Sequence, residues 1–201
     1  MKTASILSAA LIFIVIQSNA QKQWNPQIGL SFQNLTKPDS GWSYKPNTGY
    51  LVGLDARFGK GFYFQPGVFY VKQVTIVEDA SKESAKLISS NLRLKTYAGL
   101  NIINGEELKV RINAGASFDY VMSVKDDKSD YDVFQKSDFS PWVINGGIAA
   151  GVDFLHLSAE LGIVNELNQA FKDKEYTPDS KYISYYLTLG FVLGDGIHRN
   201  R

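Results

Sequence analysis

Residues 142–164, WVINGGIAAGVDFLHLSAELGIV, decide the fold. They contain no run long enough for a membrane helix and too many glycines for a soluble one. The alternate residues from 142 to 154 are apolar or glycine: Trp142, Ile144, Gly146, Ile148, Ala150, Val152 and Phe154. The skipped residues are Val143, Asn145, Gly147, Ala149, Gly151 and Asp153. A period of two predicts a β-strand with one apolar face and one face of small and polar residues. A reversal near residues 153–156 predicts a second strand after it.

Other stretches of the chain show the same alternation. They are QIGLSFQNL (27–35), GYLVGLDARF (49–58), FYFQPGVFYVKQV (62–74), NLRLKTYAGLNI (91–102), LKVRINAGASFDYVM (108–122) and YISYYLTLGFVL (182–193). Glycines and amides within these stretches argue against helices. Together with the pair in residues 142–164, they predict eight strands.

The first twenty residues have the pattern of a secretory signal peptide. Lys2 is followed by the apolar stretch 6–16 and by Ser18-Asn19-Ala20, which offers small residues for cleavage. The apolar stretch is shorter than the ~20 residues that a membrane anchor needs. We therefore expect residues 1–20 to be a cleaved signal peptide and residues 21–201 to form a single barrel domain.

The composition of the mature chain excludes several functions. Without Lys2, 20 basic residues balance 20 acidic ones, and this neutrality argues against a nucleic-acid partner. The chain has no cysteine and only two histidines, His156 and His198, so neither disulfides nor a structural zinc site is expected. The sequence predicts no metal and no cofactor.

The connections between the predicted strands alternate in length. Those after the second, fourth and sixth strands are short, whereas the other four are polar and run to about a dozen residues or more. Short periplasmic turns alternating with long extracellular loops are typical of outer-membrane barrels. The predicted fold is therefore all-β, an eight-stranded antiparallel up-and-down transmembrane β-barrel.

A soluble barrel of eight alternating strands would turn its apolar face inward instead. Two features favour an apolar exterior. Aromatic residues of the apolar phase lie near both ends of the strands and predict two membrane girdles: Tyr50, Phe58, Phe62, Tyr70, Tyr120, Trp142, Phe154, Tyr185 and Phe191. The opposite face is rich in glycine, which suits the narrow interior of eight strands. We expect a monomer-capable protein in the outer membrane, in contact with its lipid.

The polar face also carries charges that nearly cancel. They are Asp55, Arg57, Arg93, Lys95, Lys109, Arg111, Asp119, Asp153 and Glu160. Buried charges persist only when they are paired, so we predict a lumenal ion-pair network and no open channel. With a five-residue connection over residues 104–108, Arg93 would lie directly across from Asp119.

One motif has the residue types of an acyl hydrolase. In HLSAE, His156, Ser158 and Glu160 would share one face of the seventh strand, and nucleophilic acyl chemistry uses such a set. The His-x-Ser step resembles the outer-membrane lipid A deacylases, which are eight-stranded barrels. In those enzymes the groups face the lipid, whereas this face is predicted to be lumenal. We therefore interpret the three residues as lumen-filling groups and do not predict an enzyme.

The segment KDDKSDYD (125–132) has closely spaced carboxylates that could hold calcium. It lacks the glycine and the terminal glutamate of the ordered calcium loop, so a solvated external loop is predicted. Aromatic residues in the predicted loops either pack on each other or contact a partner.

Four of the strand motifs together resemble one family. FYFQPGVFYV (62–71), NLRLKTYAGLNI, VRINAGASFDYVMS and YYLTLGFVL are similar to the PorT-like outer-membrane barrels of the Bacteroidetes, and Gln65-Pro66 is the most specific element. The family's namesake is associated with type IX protein secretion. The resemblance implies an eight-stranded outer-membrane barrel. Three roles remain open: a surface barrel that acts through its loops, an accessory subunit of a larger envelope complex, and a lipid A-modifying acyl hydrolase.

Overall fold

The computed structural model describes residues 22–36, 43–78, 84–126, 140–168 and 181–194. The predicted signal peptide, residues 1–20, lies outside these ranges, as does most of the acidic segment 125–132. No helix among the described residues is long and apolar enough to cross a membrane.

Eight antiparallel strands form one closed barrel, which confirms the predicted fold. They are β1 (Lys22–Thr36), β2 (Ser43–Gly59), β3 (Phe62–Glu78), β4 (Ser84–Asn104), β5 (Leu108–Asp126), β6 (Trp142–Phe154), β7 (Leu157–Glu166) and β8 (Lys181–Phe191). Each strand pairs with the next along the chain, and β8 pairs with β1 to close the barrel. A two-residue segment, β9 (Leu193–Gly194), follows Val192 and pairs with the beginning of β1. Within the apolar band every described strand has a neighbour on both sides, as a hydrocarbon environment requires.

The two ends of the barrel differ. At the turn end, the connections are residues 60–61, 105–107 and 155–156. At the loop end, they are residues 37–42, 79–83, 127–141 and 167–180. The prediction of a dozen or more residues is wrong for the first two, because the strands continue to pair farther than the apolar alternation reaches. Glu78 is opposite both Ser43 and Ser84, so β2, β3 and β4 extend together at this end.

Arg93 lies directly across from Asp119, as predicted, but a different turn produces this register. The β4–β5 connection has three residues instead of five. The first pairs above this turn are Asn104 with Lys109 and Ile103 with Val110. Continued without a shift, that register would bring Arg93 opposite Tyr120, whose side chain lies on the other face of the sheet. Ile102 is an extra residue in β4, since the register shifts between Asn101 and Ile103. This β-bulge restores the pairing of the two charged residues.

The exterior of the barrel is apolar. Along β1 the outward apolar residues run from Trp24 to Phe32. These eight steps of about 3.4 Å, at a tilt of about 40°, cover roughly 20 Å across the membrane, close to the ~25 Å band of outer-membrane barrels. Trp24 is 49% exposed and belongs to the turn-end aromatic residues. Trp24 was not among the predicted girdle residues, because the first predicted strand begins at Gln27.

The predicted girdle residues lie on these strands. Seven are exposed and two, Phe58 and Tyr70, are half-buried; the exposed ones are Tyr50, Phe62, Tyr120, Trp142, Phe154, Tyr185 and Phe191. At the loop end, the rings of Tyr120 and Trp142 are 4.8 Å apart between centroids, and those of Tyr50 and Tyr70 are 6.1 Å apart. The aromatic rings thus contact one another along the outer surface.

The inward glycines make room for large side chains on neighbouring strands. The Tyr97 side chain crosses Gly115 and Gly147, its successive partners on β5 and β6. The same arrangement recurs in three cross-strand pairs: Tyr63 with Gly99, Arg111 with Gly151, and Tyr186 with Gly162. A Cβ atom at any of these glycines would overlap the large side chain opposite. Glycine on the polar face is therefore a packing requirement of the narrow lumen.

Replacing Gly147 with alanine should lower the free energy of unfolding by about 1–3 kcal/mol, the usual effect of overpacking a filled interior. The added methyl group overlaps the Tyr97 hydroxyl. Removing that hydroxyl in a Gly147→Ala/Tyr97→Phe double variant should restore most of the lost stability. Urea unfolding in detergent micelles, followed by tryptophan fluorescence, measures both effects, with Tyr97→Phe alone as the control. A double variant as unstable as Gly147→Ala would contradict the steric explanation.

Candidate functional site

Six charged side chains in the turn-end half of the lumen form one group, here called the central cluster. It consists of Asp55, Arg57, Lys95, Arg111, Asp153 and Glu160, and each of them is less than a tenth exposed. Three are acidic and three are basic, so the formal charge of the cluster is zero. Desolvation of an isolated ion costs several kcal/mol, and only a mutually paired set of this kind is stable in a closed interior.

Two arginines share one carboxylate at the lower edge of the cluster. Arg57 Nη1 donates to Asp153 Oδ2 at 2.6 Å, and Arg111 Nη1 donates to Asp153 Oδ1 at 2.7 Å. The Nη2 atoms of both arginines donate to Ser158 Oγ at 3.1 Å. The three strands β2, β5 and β6 are thereby connected across the lumen, with Ser158 of β7 between the two guanidinium groups.

Glu160 occupies the centre of the cluster. Its Oε1 accepts hydrogen bonds from Lys95 Nζ at 2.7 Å and from the Tyr186 hydroxyl at 3.0 Å. Its Oε2 accepts from Arg111 Nη2 and Asn113 Nδ2, both at 3.1 Å. Gln65 Nε2 also donates to Oε2 at 3.5 Å. Two cations and three neutral donors therefore surround this carboxylate, which is 1% exposed. Charge-assisted bonds of this length are the strong kind in proteins.

Asp55 depends largely on neutral donors. The Nε2 atoms of Gln27 and Gln65 both donate to its Oδ2 at 2.5 Å. Lys95 Nζ lies 3.9 Å from the same oxygen, and Arg57 Nε lies 4.0 Å from Oδ1. Neither glutamine was among the predicted site residues, because the predicted network contained only the charged residues of the inner face. Their position in the inward phase, Gln65 within the Gln-Pro motif, was the available signal.

Arg93 and Asp119 form a separate pair nearer the loop end. Arg93 Nε donates to Asp119 Oδ1 at 2.8 Å, and Nη2 donates to Oδ2 at 2.7 Å. Parallel bonds of this type fix both the distance and the orientation of the two groups. The pair joins the neighbouring strands β4 and β5 above the central cluster.

An apolar layer also contributes to the filling of the lumen. It consists of Leu51, Phe69, Val71, Ala149, Val164 and Tyr186. A cavity of about 20 Å³ is lined by most of this layer, by Arg93 and by Lys95 and Glu160 of the central cluster. A second cavity, of about 40 Å³, lies on the loop-end side of Arg93. Spaces of this size hold a few water molecules at most.

Lys109 was predicted to belong to the ion-pair network, and the structure corrects this. Its backbone is opposite Asp153, and its side chain is half-buried at the turn end. Within the described residues, no acidic group lies within 4.0 Å of its ammonium. The physical reason is competition, because Arg57 and Arg111 already occupy both oxygens of Asp153.

The residues of the HLSAE motif do not share one face, contrary to the prediction. His156 lies in the β6–β7 turn, and its ring stacks on that of the outward-facing Phe191 with centroids 5.5 Å apart. Ser158 and Glu160 face the lumen. Within the described residues, the partners of Ser158 Oγ are Asn25, Arg57 and Arg111, all of which donate to it. Donors of this kind leave the hydroxyl without the proton acceptor that a nucleophile needs.

No group of three or more histidine, aspartate or glutamate side chains within the described ranges could hold a metal ion. The carboxylates of residues 127–132, considered above for calcium, lie outside those ranges.

Replacing Glu160 with glutamine should lower the free energy of unfolding by about 3–5 kcal/mol, the usual effect of removing one partner from a buried ion network. The side chain keeps its size, but Lys95 and Arg111 lose their shared counterion. Glu107→Gln, at an exposed position of the β4–β5 turn, is the matched control and should change stability by less than about 0.5 kcal/mol. Urea titration of both variants in the same detergent measures the difference. Equal midpoints for the two variants would be incompatible with a charge-paired lumen.

Solved structures and a family model match the chain, whereas none of the curated proteins does. Neisserial surface protein A has 15% identity and a TM-score of 0.53, covering 86% of this chain and 96% of its own. OprG of Pseudomonas aeruginosa has 10% identity and a TM-score of 0.50, covering 87% and 97%. These similarities concern the fold alone. The family model "outer membrane protein beta-barrel domain" matches residues 17–172, and the chain therefore belongs to this family and is located in the outer membrane.

Proposed function

We propose that the protein is a surface barrel of the outer membrane that does not conduct and that acts through its loop end. The central cluster carries this proposal. Its side chains come from β2, β4, β5, β6 and β7 and meet within hydrogen-bond distance across the whole width of the lumen. A pore would need a continuous water path, whereas these groups occupy the space that such a path would use.

A solute moving along the axis would meet two more barriers. The Arg93–Asp119 pair and the apolar layer lie between the central cluster and the loop end. Opening the lumen would separate several buried ion pairs at once, and each separated charge would have to be rehydrated. The interior is thus suited to holding the wall together. Activity is then left to the surfaces that extend beyond the membrane.

The loop end has the features of a working surface. The strands β2 to β5 contain 17, 17, 21 and 19 residues, whereas β6 to β8 contain 13, 10 and 11. One wall of the barrel is therefore taller than the other. A rigid sheet that projects from a filled barrel can present a binding surface without moving parts.

A role as accessory subunit of a larger envelope complex is the second candidate. The PorT-like motifs, with Gln65-Pro66 as the most specific, support it. Gln65 is fully buried and donates to Asp55, so this part of the motif serves the lumen. A pull-down from detergent-solubilised outer membrane distinguishes the two roles, because a stable subunit retains stoichiometric partners and a self-sufficient surface barrel does not.

The acyl-hydrolase role is the least supported of the three. A catalytic Ser158 would need a base and an acyl substrate beside it, whereas two guanidinium groups hold its hydroxyl inside the wall. Replacing Ser158 with alanine should leave the acylation pattern of lipid A unchanged. Mass spectrometry of lipid A from cells with either form tests this, and a changed pattern would support the enzyme instead.

In planar-bilayer recordings, the purified protein should give no steady, large conductance, since the charge pairs and the apolar layer close the lumen. A wide porin reconstituted by the same procedure is the positive control. Protease protection of the inserted barrel establishes that the protein reached the bilayer. Stable stepwise currents from the inserted protein would overturn the filled-lumen proposal.

A further inference from the structure

Four lysines lie on the outward face of the tall wall at the loop end and are here called the lysine patch: Lys45, Lys72, Lys86 and Lys125. Strand pairing places them on this face. Lys72 is the partner of Tyr50, whose ring lies on the outer surface. Ile76 of β3 is paired with Lys45 of β2 and with Lys86 of β4. Lys125 of β5 is the partner of Ile88 of β4. Directly opposed residues project from the same side of a sheet.

The patch begins where the aromatic girdle ends. Lys72 follows Tyr70 by two residues on β3, and its Nζ lies 5.8 Å from the centroid of the Tyr50 ring. Lys125 lies two residues farther toward the loop end than Lys72 in the pairing register. Lys45 and Lys86 lie two residues farther again. Each such step advances about 7 Å along a strand. Girdle aromatic residues lie at the level of the headgroups, so the four ammonium groups lie within and just above that layer.

The charge of this wall differs from that of the opposite wall. Among the side chains that the structure describes beyond the girdle on β2–β5, the outward charged ones are these four lysines. Glu78 ends β3 one further step from the membrane. On β1 and β6–β8, the outward charged side chain described at this height is Lys181, whose Nζ donates to the Leu167 carbonyl at 3.3 Å. Positive charge is thus concentrated on one side of the barrel.

We propose that the lysine patch binds the phosphate groups of lipid headgroups in the outer leaflet. Lysine stems can lie along the half-buried Val74, Ile76 and Ile88 while the ammonium groups reach the phosphates. Each lysine near the headgroups adds an electrostatic attraction of similar size, so several lysines together bind anionic lipid more strongly than one. The tall wall then holds a shell of anionic lipid, and the barrel acquires a preferred neighbour on that side. This inference adds a ligand to the proposed surface barrel and does not depend on a closed lumen.

The test uses the purified barrel in a non-ionic detergent and a fluorescent lipid A that carries two phosphates. Fluorescence polarisation measures its affinity, and the same lipid after phosphatase treatment is the second probe. Lys72→Gln/Lys125→Gln should weaken binding of the phosphorylated lipid about tenfold, an effect of two lost lysine contacts at low salt. The phosphatase-treated lipid should bind the protein without substitutions about as weakly as the phosphorylated lipid binds the Lys72→Gln/Lys125→Gln variant.

Lys22→Gln/Lys60→Gln removes the same charge at the turn end and should leave the affinity unchanged. All variants are first compared by their unboiled electrophoretic mobility, and Lys125→Gln alone replaces the double variant if that one does not fold. Equal affinities of the patch variant and the turn-end variant would overturn the proposal. Competition by millimolar inorganic phosphate as effective as that by unlabelled lipid would overturn the lipid headgroup as the source of the phosphate.

Discussion

The narrowness of an eight-stranded barrel governs the whole structure. Eight strands enclose a space that side chains can just fill, so each large inward residue needs an empty position opposite it. Tyr97 lies across Gly115 and Gly147, and Arg111 lies across Gly151. The glycines let long side chains lie flat against the wall and reach the axis. Without them, neither the tyrosines nor the guanidinium groups would fit, and the charges at the centre could not meet.

Charge pairing follows from this packing. The carboxylates of Asp153 and Glu160 each accept hydrogen bonds from two basic side chains, and Arg111 contacts both of them. Neutral donors complete the set, with Gln27 and Gln65 on Asp55 and Tyr186 on Glu160. In water the interaction energy between these groups would be small. In the buried lumen, each charge needs its partners to offset the loss of hydration. The lumen is therefore a structural element that joins five of the eight strands.

In the proposed function, a filled interior leaves activity to the outside of the cylinder. The exterior has an apolar band, exposed aromatic residues near both ends of the strands and a loop end with one tall wall. The tall wall exists because β2 to β5 pair well beyond the apolar band, and lysines lie among apolar residues there. The family is shown by the match of residues 17–172 to its model, whereas the low identity to Neisserial surface protein A and OprG means that these neighbours inform the fold and not the role.

The sequence by itself determined the strand count, the antiparallel barrel, the outward direction of the apolar face and the inward direction of the charges, because a period of two assigns each residue to a face. It also paired Arg93 with Asp119, although the turn that it assumed is not the observed one and the bulge at Ile102 restores that register. Only the tertiary structure decided which charges meet across the lumen. Lys95 and Glu160 belong to strands that are not neighbours, and Arg57 and Asp153 do as well, so their contact depends on barrel closure and on local shifts such as the bulge at Ile102. Only the tertiary structure showed that the turn directs His156 away from Ser158. Only it showed that Arg57 and Arg111, and not Lys109, bind the oxygens of Asp153. Alternation assigns a residue to the inside of the barrel, but distances between opposite walls arise only when all eight strands are in place.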